Sequence, residues 1–178
     1  MTARVVAVSA RSGHHFSKPT RTQITLLKGL GVEGDVHAGL TVQDSYNKRK
    51  TPGAPNVRQV HLMPVELLDE LAVKGFTVGP GDIGDNVATS GLDLMALPEG
   101  ARLTLGAAVI ELTGLRTPCS QLNKFAPGLL NACLEKVDGQ VILKCGVMGV
   151  VLEGGIVRPD DGVEVDLPDE PWRPLPPL

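Results

Sequence analysis

The stretch around Cys119, LRTPCSQLN at residues 115–123, is the part of the sequence where chemistry is easiest to place. Cys119 follows Arg116 and Pro118, just beyond an extended run at residues 109–113. A thiolate is the nucleophilic and metal-binding form of cysteine, and a nearby arginine favours that form. Free cysteines are also among the most buried residue types. The pattern therefore leaves two alternatives for Cys119, a presented thiol and a packed one.

A glycine-rich segment at residues 29–39 carries Asp35 and His37. Its glycine spacing matches neither the dinucleotide-binding fingerprint nor a P-loop. Glycines let the backbone approach another group closely, and residues two apart on an extended stretch point to the same side. Asp35 and His37 are thus candidates for one site, the alternative being a turn-capping aspartate and a surface histidine.

Two further segments supply polar candidates. In residues 58–62, strand alternation puts Arg58 on the face opposite His61. His61 is either a satisfied core histidine or a group facing a ligand. In residues 80–89, Asp85 and Asn86 are consistent with an ordinary turn, and Asn86 equally with binding a polar ligand.

Together, His37, His61 and Cys119 form a set able to bind a soft or borderline metal ion. Zinc is one option, although the three residues are dispersed and no catalytic zinc motif is present. A protease-like Cys/His pair is another, without a family signature around Cys119. Both alternatives stay open on the residues alone.

The elements that must position these groups are mostly strands. Short β-branched runs bounded by turn residues predict strands at residues 4–9, 22–27, 57–62, 102–105, 107–113, 147–153 and 162–165. Helices are expected only at residues 64–72 and near 128–136. Too few helices alternate with the strands for a doubly wound sheet. We therefore expect a mainly β fold, a closed or nearly closed β-barrel with a few peripheral helices.

Two stretches are expected to be irregular. Residues 39–55 form a long polar connection, typical of a functional lid or a mobile loop. Residues 168–178 hold five prolines and are expected to lie over the surface or to be disordered. The predicted organisation is a single domain at residues 1–167 followed by this Pro-rich tail.

Composition excludes several classes. A net charge of −3 and only five aromatic residues argue against a nucleic-acid binder. No apolar run approaches the ~20 residues of a membrane helix, and the first residues are too weakly apolar for a signal peptide. The three cysteines make no disulfide framework, so we expect a cytoplasmic protein, with Cys133 and Cys145 as packing residues.

Four blocks then fall in a recognisable order: GDVHAG at residues 34–39, RQVHL at 58–62, GDIGDNVAT at 81–89, and RTPC at 116–119 followed by Leu122-Asn123. In this order they resemble the MOSC family, the domain named after the C-terminus of molybdenum cofactor sulfurases. The resemblance is nearest to small stand-alone bacterial members of the YiiM type and runs from about Gly29 to Val165. One departure is Asp85, where the family often has glutamate.

The resemblance implies a β-barrel fold and a pyranopterin molybdenum cofactor. Cys119 matches the cysteine proposed in the family to ligate molybdenum or to carry sulfur. His37 and His61 match histidines expected near the pterin or substrate as hydrogen-bonding or proton-transfer groups. The expected cofactor-binding residues are Asp35, Arg58, Asn86, Thr89 and Arg116. Pyridoxal phosphate is not expected, because nothing resembles the separate sulfurase domain that uses it.

Three functional hypotheses follow. In the first, the protein is a molybdenum-cofactor oxidoreductase that reduces small N-hydroxylated or N-oxide compounds, with Cys119 as the molybdenum ligand. In the second, it carries sulfur as a Cys119 persulfide, or carries the cofactor, to another protein. The third and least favoured is a zinc hydrolase. The expected partners are a small-molecule substrate and an electron-donor or cofactor-delivery protein, with neither nucleic acid nor membrane.

Overall fold

The structure is a computed structural model that describes residues 2–178, and it is built mainly of short strands. The strands are β1 (Arg4–Ser9), β2 (Thr20–Arg21), β3 (Ile24–Leu27), β4 (Gly31–Val32), β5 (Val60–Pro64), β6 (Val87–Ser90), β7 (Arg102–Leu105), β8 (Ala108–Leu115), β9 (Leu134–Val137), β10 (Gln140–Leu143), β11 (Val147–Glu153), β12 (Gly155–Val157) and β13 (Val163–Asp166). The helices are α1 (Ser45–Lys50), α2 (Val65–Val73), α3 (Gln121–Phe125) and α4 (Leu129–Ala132), with one 3-10 turn at Leu94–Ala96. Every strand predicted from the sequence is present, with ends shifted by at most three residues.

Eight strands form the main sheet in the order β13-β7-β8-β11-β5-β6-β1-β2. The pair β5 and β6 is parallel and the other pairs in this sheet are antiparallel. A parallel pair needs a crossover connection, and helix α2 lies within this one. Strands β12, β3 and β4 form a second sheet, and β9 and β10 form a separate hairpin.

The expected closed barrel is not confirmed, because the main sheet ends at β13 on one side and at β2 on the other. The two ends do approach each other. Val5 exchanges backbone hydrogen bonds with Asp160 and Asp161, and Arg4 forms an isolated bridge with Gly162. The second half of β1 pairs instead with β2, so β13 has no continuous strand edge to join.

Apolar side chains bury themselves in two clusters. Strand β8 alternates buried and half-buried residues along its whole length, as a sheet with one face inward must. Its inward side chains join the larger cluster. Leu67 and Leu71 of α2 pack in the smaller cluster with Cys133 and Cys145. Both cysteines are fully buried, which confirms their expected packing role.

The helix expected near residues 128–136 is present only in its first half, and the second half of the prediction is wrong. Helix α4 is a single turn, and the chain then enters the β9–β10 hairpin. Asp138 and Gly139 both adopt positive φ, 49° and 80°, the conformation of a tight two-residue hairpin turn. The Asp-Gly pair between Val137 and Gln140 is the local signal for this turn, and it outweighs the apolar spacing that suggested a helix.

The two stretches expected to be irregular have definite positions. Within residues 39–55, Asp44 caps helix α1 by accepting the amide of Asn47. The tail at residues 168–178 lies against the sheet, where Leu115 donates its amide to Pro176 and accepts the amide of Leu178. Leu175 is buried at 5% exposure, so the tail contributes to the core. None of the helices within residues 2–178 is long and apolar enough to cross a membrane.

Replacing Gly146 with alanine is expected to destabilise the fold by about 3 kcal/mol or more. Gly146 has a φ of +86°, and a Cβ there would collide with the backbone carbonyl of Leu62. Gly53→Ala is the matched control, because its φ is +82° and nothing lies within 4 Å of the added carbon. The control should lose only about 1 kcal/mol. Equal losses for the two variants in urea unfolding would contradict the packing argument.

Candidate functional site

A cleft of about 750 Å³ opens beside the parallel pair of strands. Its walls come from segments that are distant in the sequence. Its polar and charged lining residues include His14, His15, Lys18, His37, Asp44, Arg49, Asn56, Arg58, His61, Asn86, Arg116 and Cys119. All four histidines of the chain lie in this lining. The cleft thus brings together six of the eight residues predicted from the sequence.

The parallel register of β5 and β6 brings His61 and Asn86 together. His61 donates its amide to Oδ1 of Asn86 at 3.1 Å, and Asn86 donates its amide to the carbonyl of His61 at 2.8 Å. Nδ2 of Asn86 also donates to the carbonyl of Ser9 at 3.2 Å. Asn86 therefore links β5 to β1 through hydrogen bonds, and few of its donors and acceptors remain for a ligand.

Asp35 is the centre of the polar network on one side of the cleft. Its carboxylate lies 3.1 Å from the ammonium of Lys18, and both side chains are only 2% exposed. It also accepts Nδ2 of Asn86 at 3.2 Å and the amide of Arg11 at 3.3 Å. His37 donates its amide to the same carboxylate at 3.0 Å. Asp35 does not line the cleft itself, so it holds the residues that do.

The network keeps Asp35 ionised. Burial acts to raise the pKa of Asp35, but hydrogen bonds from His37 and the charge of Lys18 outweigh it and hold the pKa well below its usual range. A buried carboxylate is stable only when it is paired and fully hydrogen-bonded. Asp35 meets both conditions through four different residues.

His37 has one ring nitrogen committed and one available. Nδ1 lies 3.2 Å from Oδ1 of Asp35, and the side chain is 36% exposed. The carboxylate favours the proton on Nδ1. This leaves Nε2 as the ring nitrogen free to exchange a proton or a hydrogen bond with a ligand.

His61 differs from His37 in its protonation chemistry. Its Nε2 lies 2.7 Å from the carbonyl of Cys145, so it is the protonated nitrogen of the neutral ring. Burial, reinforced by the positive charge of Arg116, lowers the pKa of His61 well below its ordinary value. His61 is therefore a neutral hydrogen-bonding group in the wall of the cleft.

Arg116 and Cys119 lie together where β8 ends. Arg116 is 7% exposed, and its amide donates to the carbonyl of Gly146 at 3.0 Å. Its Nη2 lies 4.0 Å from the sulfur of Cys119. Its Nη1 is buried without a hydrogen-bond partner among residues 2–178. A buried guanidinium nitrogen left without a partner is costly, so it marks a position where an acceptor belongs.

Cys119 is half-buried, in contrast to the two packed cysteines. Its carbonyl accepts the amide of Leu122 at 3.1 Å, in the turn that starts α3. The thiol thus lies on the cleft wall beside the guanidinium of Arg116. Arg58 lines the same cleft, so a second guanidinium faces the cavity.

One predicted residue lies elsewhere. Thr89 is on β6 between Val5 and Pro64, fully buried, and it does not line the cleft. Because Thr89 is fully buried and away from the cleft lining, it makes no contact with a ligand in the cleft. The zinc alternative gains no support either, since no group of three or more His, Cys, Asp or Glu residues within residues 2–178 is arranged to hold a metal ion.

Sequence reasoning missed Lys18, which is 3% exposed and lines the cleft. It lies in a polar loop where nothing in the local pattern indicates burial. It also left the role of Asp85 open. The carboxylate of Asp85 is fully buried and accepts the amide of Gly81 at 2.9 Å. Burial raises the pKa of Asp85 to about 6, despite that hydrogen bond and the charges of Lys18 and Arg116.

The fold and the site define a mainly β domain with a polar cleft, in which the buried Arg116 lies beside a half-buried thiol. The chain belongs to the MOSC domain family, which matches residues 14–164. This confirms the resemblance drawn from the four sequence blocks. The family is associated with binding of the molybdenum cofactor.

Solved structures agree with this assignment. The YuaD protein from Bacillus subtilis superimposes with a TM-score of 0.77 at 25% identity, over 95% of this chain and 98% of that one. YiiM from Escherichia coli gives 0.63 at 21% identity, over 96% of this chain and 73% of that one. YiiM from Geobacillus stearothermophilus gives 0.66 at 17% identity, over 92% and 75%. Among proteins with curated functions, none matches the chain in sequence.

Replacing Asp35 with asparagine is expected to cost about 3–5 kcal/mol in the free energy of unfolding, because it leaves the buried ammonium of Lys18 without a counter-charge. The double variant Lys18→Met with Asp35→Asn removes both charges and should recover part of this loss. Urea unfolding at pH 7 measures both. A single variant as stable as the wild type would contradict the role of the ion pair.

Asp85→Asn is expected to stabilise the protein at pH 7.5 and much less near pH 4. The pKa of Asp85 is raised from 3.8 to about 6 in the folded state, so the folded protein loses stability as pH rises from the first value to the second. At pH 7.5 this loss amounts to about 3 kcal/mol, which the neutral asparagine avoids. The measurement is the free energy of unfolding of the wild type and of Asp85→Asn at several pH values. Any effect of the substitution that does not depend on pH then cancels. A difference that does not grow with pH would rule out the buried ionisable carboxyl.

Proposed function

We propose that the protein binds a pyranopterin molybdenum cofactor in the cleft and acts as a small oxidoreductase on N-hydroxylated or N-oxide compounds. The observation that carries the proposal is the Arg116–Cys119 pair. A buried Nη1 without a partner lies on the same guanidinium whose Nη2 is 4.0 Å from a cleft-facing thiol. An anionic ligand that also bears a soft metal satisfies both groups at once.

The residues of the cleft fit this group. Its volume of about 750 Å³ lies within the roughly 300–1,000 Å³ typical of small-molecule and cofactor sites. Arg58 and Arg116 supply positive charge for a phosphorylated pterin. Cys119 supplies the single soft ligand that a metal already held by the cofactor needs from the protein. A metal held in this way does not require a cluster of three protein ligands.

Each cleft residue then has a defined task. When bound, the cofactor supplies the two-electron redox chemistry. Arg116 would lie beside the sulfur of Cys119 and donate from Nη1 to the anionic part of the cofactor. His61, neutral and fixed by the carbonyl of Cys145, presents a hydrogen-bonding wall and transfers no proton. Asp35 orients His37 and Lys18 from behind.

His37 is the proposed proton donor. Reduction of an N-hydroxylated compound to the parent base takes up two electrons and two protons and releases water. The electrons come from a donor protein. Water supplies both protons, one of which is relayed to the substrate through Nε2 of His37, whose Nδ1 faces the Asp35 carboxylate. Residues 43–47 and 49 also line the cleft and would cover part of a bound ligand.

Cys119→Ala is expected to lower bound molybdenum about tenfold or more after anaerobic reconstitution with the cofactor. Bound pterin, followed by its fluorescence, should fall less, because the cations remain. Ser120→Ala is the matched control, since Ser120 is the next residue and also lines the cleft. Equal molybdenum in the Cys119→Ala variant and the wild type would refute Cys119 as the ligand.

The same preparations separate the enzyme from the carrier. Reduction of an amidoxime by the reconstituted protein with an electron donor supports the oxidoreductase. A persulfide on Cys119 that mass spectrometry detects and dithiothreitol removes, without turnover of the amidoxime, supports sulfur transfer instead.

A further inference from the structure

A second cavity of about 640 Å³ lies next to the main cleft. Its lining consists of Arg11, Ser12, His15, Ser17, Lys18, Pro19, Arg21 and Asp82. His15 and Lys18 line both cavities, so the two are neighbours. We call the second cavity the arginine recess. Nothing in the proposed function uses Arg11 or Arg21.

The recess holds two arginines without counter-ions. Neither Arg11 nor Arg21 forms an ion pair with a carboxylate of residues 2–178. Asp82 is the one carboxylate residue in the lining, and its Oδ2 already accepts the amide of Gly79 at 2.8 Å. Lys18 is neutralised by Asp35. Two guanidinium charges therefore face one engaged carboxylate.

Backbone contacts hold both arginines in place. Nη1 of Arg11 donates to the carbonyl of Ser17 at 3.3 Å, and Nε of Arg21 donates to the carbonyl of Ala10 at 3.4 Å. The main chain of Arg11 is fixed on both sides, since Asp35 accepts its amide and Val36 donates to its carbonyl. Ser17 in turn donates its hydroxyl to the carbonyl of Asp82 at 2.7 Å. The loop that carries the recess is thus attached to the rest of the domain at several points.

Uncompensated guanidinium groups held by carbonyls are suited to oxyanions, because each retains several donors in a planar fork. A tetrahedral phosphate offers acceptors in enough directions to meet two such groups. Ser12 adds a hydroxyl to the same lining.

We propose that the arginine recess is an anion site, separate from the main cleft, that takes the phosphate group of a phosphorylated small molecule. Its position beside the cleft allows that phosphate to belong to a ligand whose other end lies near Cys119. Free inorganic phosphate offers the same chemistry, so the test distinguishes the two sources. The inference does not depend on the molybdenum cofactor.

The experiment titrates the protein at constant ionic strength with inorganic phosphate, with glycerol 3-phosphate and with glycerol. Binding is followed through the Nε–Hε signals of the arginines in two-dimensional NMR, assigned from the variants. Phosphate and glycerol 3-phosphate are expected to shift the signals of Arg11 and Arg21, and glycerol is expected to shift neither. Tighter binding of glycerol 3-phosphate indicates a phosphate ester as the ligand, and equal or weaker binding indicates free phosphate.

Arg11→Gln and Arg21→Gln are each expected to weaken phosphate binding about tenfold, the loss of one charge-assisted contact. Arg102→Gln is the control, because Arg102 is an exposed arginine paired with Glu111 on the main sheet. Arg21 makes a single backbone hydrogen bond, so its variant remains informative if Arg11→Gln disturbs folding. Unchanged binding in Arg21→Gln, or a loss confined to Arg58→Gln in the main cleft, would overturn the proposal.

Discussion

The buried pairing of Asp35 with Lys18 is the interaction on which the cleft depends. Removing both charges from water is costly, and the cost is offset because the carboxylate also accepts hydrogen bonds from His37, Asn86 and Arg11. These donors lie between 2 and 51 residues away along the chain. One carboxylate therefore ties a loop, a glycine-rich turn and the start of a central strand to a common point. The walls of the cleft and of the arginine recess both meet there.

The second constraint is the parallel pair of strands. Because β5 and β6 run in the same direction, Asn86 lies beside His61 and accepts the amide of His61 at its side-chain oxygen. Helix α2 forms part of the crossover connection, and its Leu67 and Leu71 pack in the smaller core cluster. The two histidines expected to act alike are separated by this arrangement. His37 lies at the surface of the network with a ring nitrogen available, whereas His61 lies within the wall and is neutral.

Local patterns were enough to predict seven of the thirteen strands, because alternation of apolar residues such as that in β8 is visible in the sequence. The sequence analysis missed β6, which lies beside the cleft, together with the short strands β2, β4, β9, β10 and β12. The ordered blocks were enough to group His37, Arg58, His61, Asn86, Arg116 and Cys119. Other features depend on contacts that no local pattern records. Lys18 is buried only because Asp35, 17 residues further on, folds against it. Closure of the sheet depends on how β13 meets β1. Strand β9 of the hairpin takes the place of the second half of the expected helix, because the turn conformation of Asp138-Gly139 outweighs apolar spacing.

Backbone carbonyls fix two groups of the cleft wall. The carbonyl of Cys145 fixes the imidazole of His61, and the carbonyl of Gly146 fixes the amide of Arg116. Any residue supplies a backbone carbonyl, so the side chain at position 145 can change in evolution while the hydrogen bond to the His61 imidazole is kept. Such anchoring suits a fold that is shared at 17–25% identity with the solved structures. It makes the cleft tolerant of sequence divergence in the core behind it.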